Sequence, residues 1–229
     1  MLPRELVFRE LGLWPVWRER RDAAEAIPPQ TADGEPAVAR RWTDWDALHQ
    51  AIASCTACKL HQTRTQGVPG VGDRHAEWLI IGEAPGADED RQGEPFVGQA
   101  GKLLDAMLAA IGLKRGENVY ITNVLKSRPP GNRNPEADEI AACMPYLLSQ
   151  IELIRPKIIL ALGRFAAQNL LQTDEPIGRL RGRVHRYRDI PLVVTYHPAY
   201  LLRNLPDKAR AWEDLCLARR TLLSLTPET

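Results

Sequence analysis

The sequence predicts an α/β fold: a central, mostly parallel sheet of four strands, flanked by helices in three αβα layers. Three observations carry that reading. Four short apolar runs, Trp78–Ile81, Val119–Val124, Lys157–Leu162 and Leu192–Tyr196, read as buried strands. Segments with helical spacing of apolar residues lie between them. No apolar run reaches the roughly 18 residues of a membrane span, so these segments read as core. Strands that alternate with helices form βαβ units, and these make neighbouring strands parallel.

Along the chain, residues 1–20 carry Leu6, Val7, Leu11, Leu13 and Trp14 and read as an N-terminal arm, a short amphipathic helix able to meet a partner. Residues 21–42, rich in Ala, Glu and Pro, read as a flexible linker. The folded domain is expected over 43–229. Thr43 and Asp46 ahead of an apolar run predict a capped helix that ends near Ser54. Leu103, Leu104, Met107, Leu108 and Ile111 mark a second helix. Ile140, Cys143, Met144, Leu147, Leu148 and Ile151 mark a third, with Asn134 as N-cap and Pro135 at its first position. Ala166–Leu171 is a shorter helix, and Asp207–Leu223 closes the chain.

Composition narrows the function class. Among 229 residues, 44% are hydrophobic and 26% charged, which excludes wholesale disorder. The N-terminus mixes charge with Trp and Leu and lacks the apolar centre of a secretory signal, so a cytoplasmic protein is expected. Four cysteines, two of them spaced as Cys55-x-x-Cys58, fit a reducing compartment and a metal or redox site better than a disulfide framework. A net charge of +1 announces no polyanionic partner by itself, but its distribution does. Residues 178–220 hold ten Arg and Lys against four carboxylates, whereas residues 82–94 hold five carboxylates against one Arg. A basic C-terminal third beside a small acidic pocket suits a protein that grips phosphates and acts on a neutral base. The turn Gly178-Arg179-Leu180-Arg181-Gly182 could present N–H groups and guanidinium to phosphate.

Ligands of open parallel sheets gather at the carboxyl ends of the strands. The first strand is followed by Glu83, Ala84 and an acidic stretch with Glu89, then Phe96; the second ends at Asn123; the fourth is followed by His197. Singly, each has a plain reading: a solvated loop carboxylate, an Asn closing a turn, a satisfied loop histidine, a core Phe. Together at equivalent strand ends they point to a site. Cys55 and Cys58 make a half-site for zinc or iron–sulfur. Cys143 lies in a helical apolar stripe, where a free thiol is often just a small hydrophobe, and is one plausible third ligand; Cys216 reads as core beside Trp212, Leu215 and Leu222.

Three stretches carry a family resemblance: GEAPG-x-x-ED-x-x-G-x-PFVG-x-AG, TNVLK-x-RPPGNRNP and HPAYLLRN. Over about residues 45–223 the chain resembles the family 4 uracil-DNA glycosylases, monofunctional base-excision repair enzymes that carry a [4Fe-4S] cluster. The resemblance implies hydrolysis of uracil from single- or double-stranded DNA by a monomer, leaving an abasic site. It implies that Glu83 orients water and stabilises the cationic sugar, with Ala84 standing where family 1 enzymes have a catalytic Asp. Phe96 would stack on the extruded uracil, Asn123 would pair with its O4 and N3 edge, and His197 would bond O2. Glu89 would crowd the C5 side against thymine. Leu201, Leu202 and Arg203 would wedge into the duplex.

These roles suit the chemistry. A glycosylase extrudes its base and reads its edge. The Asn amide offers a donor to O4 and an acceptor to N3–H, and cytosine reverses both. Bond cleavage leaves positive charge on the sugar and negative charge on uracil, as in glycoside hydrolysis.

One position departs from the family. Its ligands correspond here to Cys55, Cys58, Ser127 and Cys143, so Ser127 replaces a thiolate. A serine oxygen is a harder and poorer ligand. A cluster with a serine or solvent ligand, a three-iron cluster and no cluster all remain open. A labile cluster is expected, whose loss would threaten stability before chemistry. A uracil-DNA binding protein or interaction module of the same superfamily, with little turnover, is the rival reading. The covalently trapping branch is disfavoured, since no inserted basic loop with a histidine interrupts residues 123–135. A nucleotide-binding α/β hydrolase is disfavoured too, since GEAPG has neither P-loop nor GxGxxG spacing.

Overall fold

A computed structural model describes residues 41–225, all within one compact unit, Ala39–Thr229. The arm expected over 1–20 and the linker over 21–42 lie outside the described residues, apart from Arg41 and Trp42.

The four strands are present and form the centre of the sheet as β2 (Trp78–Gly82), β3 (Val119–Asn123), β4 (Ile158–Leu162) and β6 (Ile190–Thr195). Among the described residues the sheet has six strands, which with β1 (Val71–Gly72) and β5 (Val184–Tyr187) run in the order β1-β3-β2-β4-β6-β5. The central pairs β3·β2, β2·β4 and β4·β6 are parallel. The two additional strands are antiparallel edges: β1 on β3 and β5 on β6. They escape a search for apolar runs for physical reasons. β1 is only two residues long, and β5 (VHRY) alternates exposed and half-buried positions, as a charged edge does.

Alternate residues of the central strands feed two core layers. On one face Ile80, Ile121, Leu160 and Val193 pack against Leu104, Met107 and Leu108 of α3 (Gln99–Ala110) and Leu215 of α8 (Asp207–Leu225). On the other, Leu79, Ile81, Ile159 and Val194 pack against Leu147, Ile151 and Ile154 of α4 (Ala137–Ile154) and Ala167 and Leu170 of α5 (Arg164–Leu171). Each such fully buried aliphatic contributes about 1.5–3 kcal/mol. Among the described residues no helix is long and apolar enough to cross a membrane.

Several helix starts are corrected. The first helix, α1 (Trp45–Ala53), is capped by Asp44, whose carboxylate accepts from Ala47 N at 2.8 Å, and not by Thr43. α4 begins at Ala137 rather than Pro135. Glu136 is its N-cap because the Glu139 carboxylate reaches back to Glu136 N (2.9 Å) while gripping Arg133. The acidic stretch after β2 is itself a short helix, α2 (Ala87–Gln92), with Asp88, Glu89 and Asp90 in its first turn, where the helix dipole favours negative charge. Cys216 is half-buried rather than core, and Trp212 on its stripe is 47% exposed.

Candidate active site

Register brings the strand ends level. Gly82 pairs with Asn123, Ile81 with Ala161 and Leu162 with Thr195. Residues just beyond these positions therefore share one edge. Glu83, Ala84, Glu89, Phe96, Asn123 and His197 line a single cleft of about 400 Å³, and Arg203 stands at its wall.

The floor depends on Gly82. A Cβ there would overlap Asn123 Oδ1 and the Phe96 ring, so only glycine lets both groups approach the end of β2. Asn123 is buried, and its Oδ1 has no hydrogen-bond partner in the protein. An unpaired buried acceptor costs about 1–3 kcal/mol, which a ligand N–H would recover. Its main chain is fixed from behind by Lys126, itself 1% exposed, whose Nζ donates to Asn123 O (2.6 Å), Thr122 Oγ1 (2.7 Å) and Gln150 Oε1 (2.7 Å). Burial brings the Lys126 ammonium down to about 7.

Phe96 is 6% exposed and lies with its ring 5.5 Å from that of His197. Its backbone is left-handed (φ 56°), a conformation that costs a bulky residue on the order of 1–3 kcal/mol. Two residues clamp it there. Glu89 Oε1 accepts from Val97 N (2.9 Å) and Gly98 N (3.1 Å), and Glu89 Oε2 accepts from Gly86 N (3.1 Å). From the other side Arg115 donates to Pro95 O (3.0 Å) and Phe96 O (2.8 Å) while bonded to Asp105 (2.9 Å). Glu89 thus braces the Phe96 turn with Oε1 and the start of α2 with Oε2, a backbone role added to its place in the cleft lining.

His197 follows β6 and caps the short helix α7 (Pro198–Leu201), its Nδ1 accepting from Ala199 N at 3.1 Å. That bond places the proton of the neutral ring on Nε2. Burial, against the pull of the Glu89 charge, lowers its pKa to about 4, so the ring is neutral at pH 7. Glu83 is half-buried, and burial raises its pKa to about 7, against the opposing charge of Arg164. Of the other carboxylates of residues 82–94, Asp90 accepts from Thr65 Oγ1 (2.7 Å), Asp88 pairs with Arg91, and Glu94 is exposed. Within the cleft the expected acidic pocket narrows to Glu83 and the backbone-bound Glu89.

Two expected DNA contacts are redirected. Arg181 is bonded to the buried Asp214 (3.0 Å), to Glu213 (3.2 Å) and to Arg210 O (2.6 Å), and lies over the Tyr196 ring. Gly182 N also goes to Asp214 (3.1 Å). The segment, which includes the one-turn helix α6 (Ile177–Leu180), is therefore spent on structure, and of its two arginines only Arg179 is exposed. Leu201 is 1% exposed and belongs to the core, whereas Leu202 (43%) and Arg203 stand in solvent.

The thiols gather on the other side of Ala84. Cys143 is buried around Leu60 and Leu125, with Cys58 and Ala84 against the same cluster. Burial pushes the Cys143 thiol up to about 11, with further contributions from Cys58 and Cys55, so the three share one electrostatic neighbourhood. No three His, Cys, Asp or Glu side chains among the described residues close round one metal ion. A multi-iron cluster spans its ligands more widely than a single ion, and three soft thiolate donors fit it. The fourth position does not supply a thiolate. Ser127 Oγ accepts from Arg64 Nη1 at 2.8 Å, and Arg64 Nη2 holds Ala53 O (2.8 Å) and Cys55 O (3.0 Å).

The uracil DNA glycosylase superfamily model matches residues 69–216. This chain belongs to that superfamily, among its type-4 members. It is 52% identical over 165 residues to the type-4 uracil-DNA glycosylase of Archaeoglobus fulgidus, covering 69% of this chain and 82% of that one. It is 45% identical to that of Sulfurisphaera tokodaii (80% and 86% covered) and 42% identical to that of Thermotoga maritima (72% and 86%). The three strand-end residues read from the sequence, Glu83, Asn123 and His197, meet Phe96 in one cleft in this type-4 chain. Arg115, Lys126, Gly82 and Arg64 were not foreseen in these tasks. Gly82 and Lys126 had a signal, as the first residue of GEAPG and the lysine of TNVLK; Arg115 and Arg64 act through contacts distant in sequence that spacing does not encode.

Proposed function

We propose that this chain hydrolyses the N-glycosidic bond of uracil in DNA and leaves an abasic site. The observation that carries the proposal is the unpartnered Asn123 Oδ1 in a cleft shared with Phe96, the Nε2–H of His197 and Glu83. The Phe96 ring takes the face of the extruded base. Asn123 accepts N3–H at Oδ1 and donates to O4 from its amide nitrogen; cytosine presents the opposite pattern and leaves both groups unpaired. A neutral His197 donates from Nε2 to O2, where negative charge develops as the bond breaks. The Glu83 carboxylate, ionised above about pH 7, faces the cationic sugar and the attacking water. Leu202 enters the space the base has left, and Arg203 and Arg179 meet phosphate. Every one of these groups comes from one chain, so a monomer is complete.

Cys55, Cys58 and Cys143 would hold an iron–sulfur cluster. When bound it supplies a cross-link between the segment after α1 and helix α4, and no chemistry at the base.

The test is an oligonucleotide with a single uracil, incubated with protein and then cleaved by alkali at abasic sites, beside matched thymine and cytosine strands. Uracil-specific cleavage that is lost in folded Glu83→Ala and His197→Ala supports the reading. Near-normal rates in both variants refute the site, and uracil-DNA binding without cleavage by wild type favours a binding protein.

A further inference from the structure

On the proposed reading of the thiols as a cluster site, we infer that its fourth corner is closed to iron by Arg64 and that the site takes a three-iron cluster. The geometry supports three steps. First, the side-chain oxygen at that corner, Ser127 Oγ, already accepts a charge-assisted hydrogen bond from Arg64 Nη1 at 2.8 Å. A lone pair committed to guanidinium is a weaker donor to iron, and the hydroxyl proton would also have to be lost.

Second, Arg64 cannot turn away cheaply. Its Nη2 is tied to Ala53 O (2.8 Å) and Cys55 O (3.0 Å), the backbone that carries the first thiol. Its own N–H closes the turn after Lys59–Gln62 by donating to Leu60 O (3.1 Å). The guanidinium is built into the turn that presents Cys55 and Cys58.

Third, the charges distinguish the corners. At each of three corners a thiolate would neutralise the iron it holds. At the fourth, Ser127 brings a neutral hydroxyl held by a fixed cation where a thiolate would stand, so a further iron would be drawn there by the sulfides alone. Three ferric ions, four sulfides and three cysteines combine with release of three thiol protons, and no electron changes hands. The cluster so formed uses every soft ligand the site offers and asks nothing of Ser127.

The experiment uses the full chain, purified without oxygen and reconstituted with ferric salt and sulfide under a thiol reductant, which supplies electrons for any four-iron core. Iron and sulfide per chain are counted, and electron paramagnetic resonance is recorded before and after dithionite. Wild type and Ser127→Ala are expected to bind three irons and to give a paramagnetic oxidised centre. Ser127→Cys is expected to bind four, silent until reduced. Four irons in wild type that fall to three in Ser127→Ala would make Ser127 a ligand and overturn the inference. Four irons in both would open the corner to solvent and overturn it as well. An empty wild type beside a loaded Ser127→Cys rejects the three-iron site but leaves the cluster reading standing. Iron in none of the three folded proteins rejects both.

Discussion

Replacing Glu83 with Gln should abolish turnover and yet make the protein more stable at neutral and alkaline pH. The carboxyl sits at the end of β2 where burial raises its pKa from 4.5 to about 7. A folded pKa above the unfolded one gives a stabilisation that is full below pH 4.5 and is lost as pH rises through about 7. At about 1.36 kcal/mol per pH unit, the ionised carboxylate costs the fold about 3 kcal/mol at pH 8. Its mouth is open to water, which brings the figure to about 2 kcal/mol. Gln, of the same shape and uncharged, avoids that cost. The variant should therefore match wild type near pH 4 and melt about 4–8 °C higher at pH 8. Thermal unfolding followed by circular dichroism at several pH values measures this. In the same series kcat/KM of wild type, which reports the free enzyme, should rise roughly tenfold from pH 6 to pH 8. Parallel pH dependences of melting in the two proteins, or substantial turnover by Glu83→Gln, would refute the assignment of the buried charge.

Four further outcomes follow from the geometry. His197→Asn should lower kcat by about 10²–10³-fold through loss of the O2 donor, and since burial holds the ring neutral down to about pH 4, wild-type pH–rate profiles should show no second limb between pH 5 and 9. Arg115→Met should release the left-handed turn at Phe96 and raise KM and the inhibition constant of free uracil more than it lowers kcat, with affinity for an abasic duplex unchanged; equal losses in uracil and abasic binding would argue against a local clamp. Arg181→Met should cost about 3 kcal/mol in denaturant unfolding, because the buried Asp214 loses its partner, whereas Arg179→Met should leave stability intact and flatten the salt dependence of DNA binding by about one phosphate contact. Leu201→Ala should destabilise by about 2–5 kcal/mol, while Leu202→Ala should lower activity on duplex DNA more than on single strands at unchanged melting temperature.

What the sequence made legible follows from where information is local. Ile80, Ile121, Leu160 and Val193 lie in continuous apolar runs, and such runs mark strands buried on both faces. Glu83, Asn123 and His197 could be found because each lies at or within two residues of such a run's end. The edge strand Val184–Tyr187 was hidden because its pairing depends on a neighbour, not on its own composition. Asp44 displaced Thr43 as a cap by one position, a choice that turns on a single carboxylate-to-N–H bond. Leu201 and Leu202 are indistinguishable in sequence, and only a turn of helix after His197 sends one inward and the other outward. Arg181 reads as a free phosphate contact because a charge near a site counts as free until its partners are known, and Asp214 already holds it; the bonds that Val97 N and Gly98 N donate to Glu89 are equally invisible in the sequence.

The pair Leu201–Leu202 has a mechanical meaning. On the proposed reading, a residue that parts stacked bases must push against a load, and a soft loop would yield before the stack did. Leu202 stands one peptide bond from a side chain set among Leu104, Met107 and Leu215 in the close-packed interior. Force on the projecting leucine passes directly into that layer, as into a blade rooted in its handle. Extrusion of a base then draws on the rigidity of the whole domain, and any loosening beneath α7 should blunt the wedge without touching it.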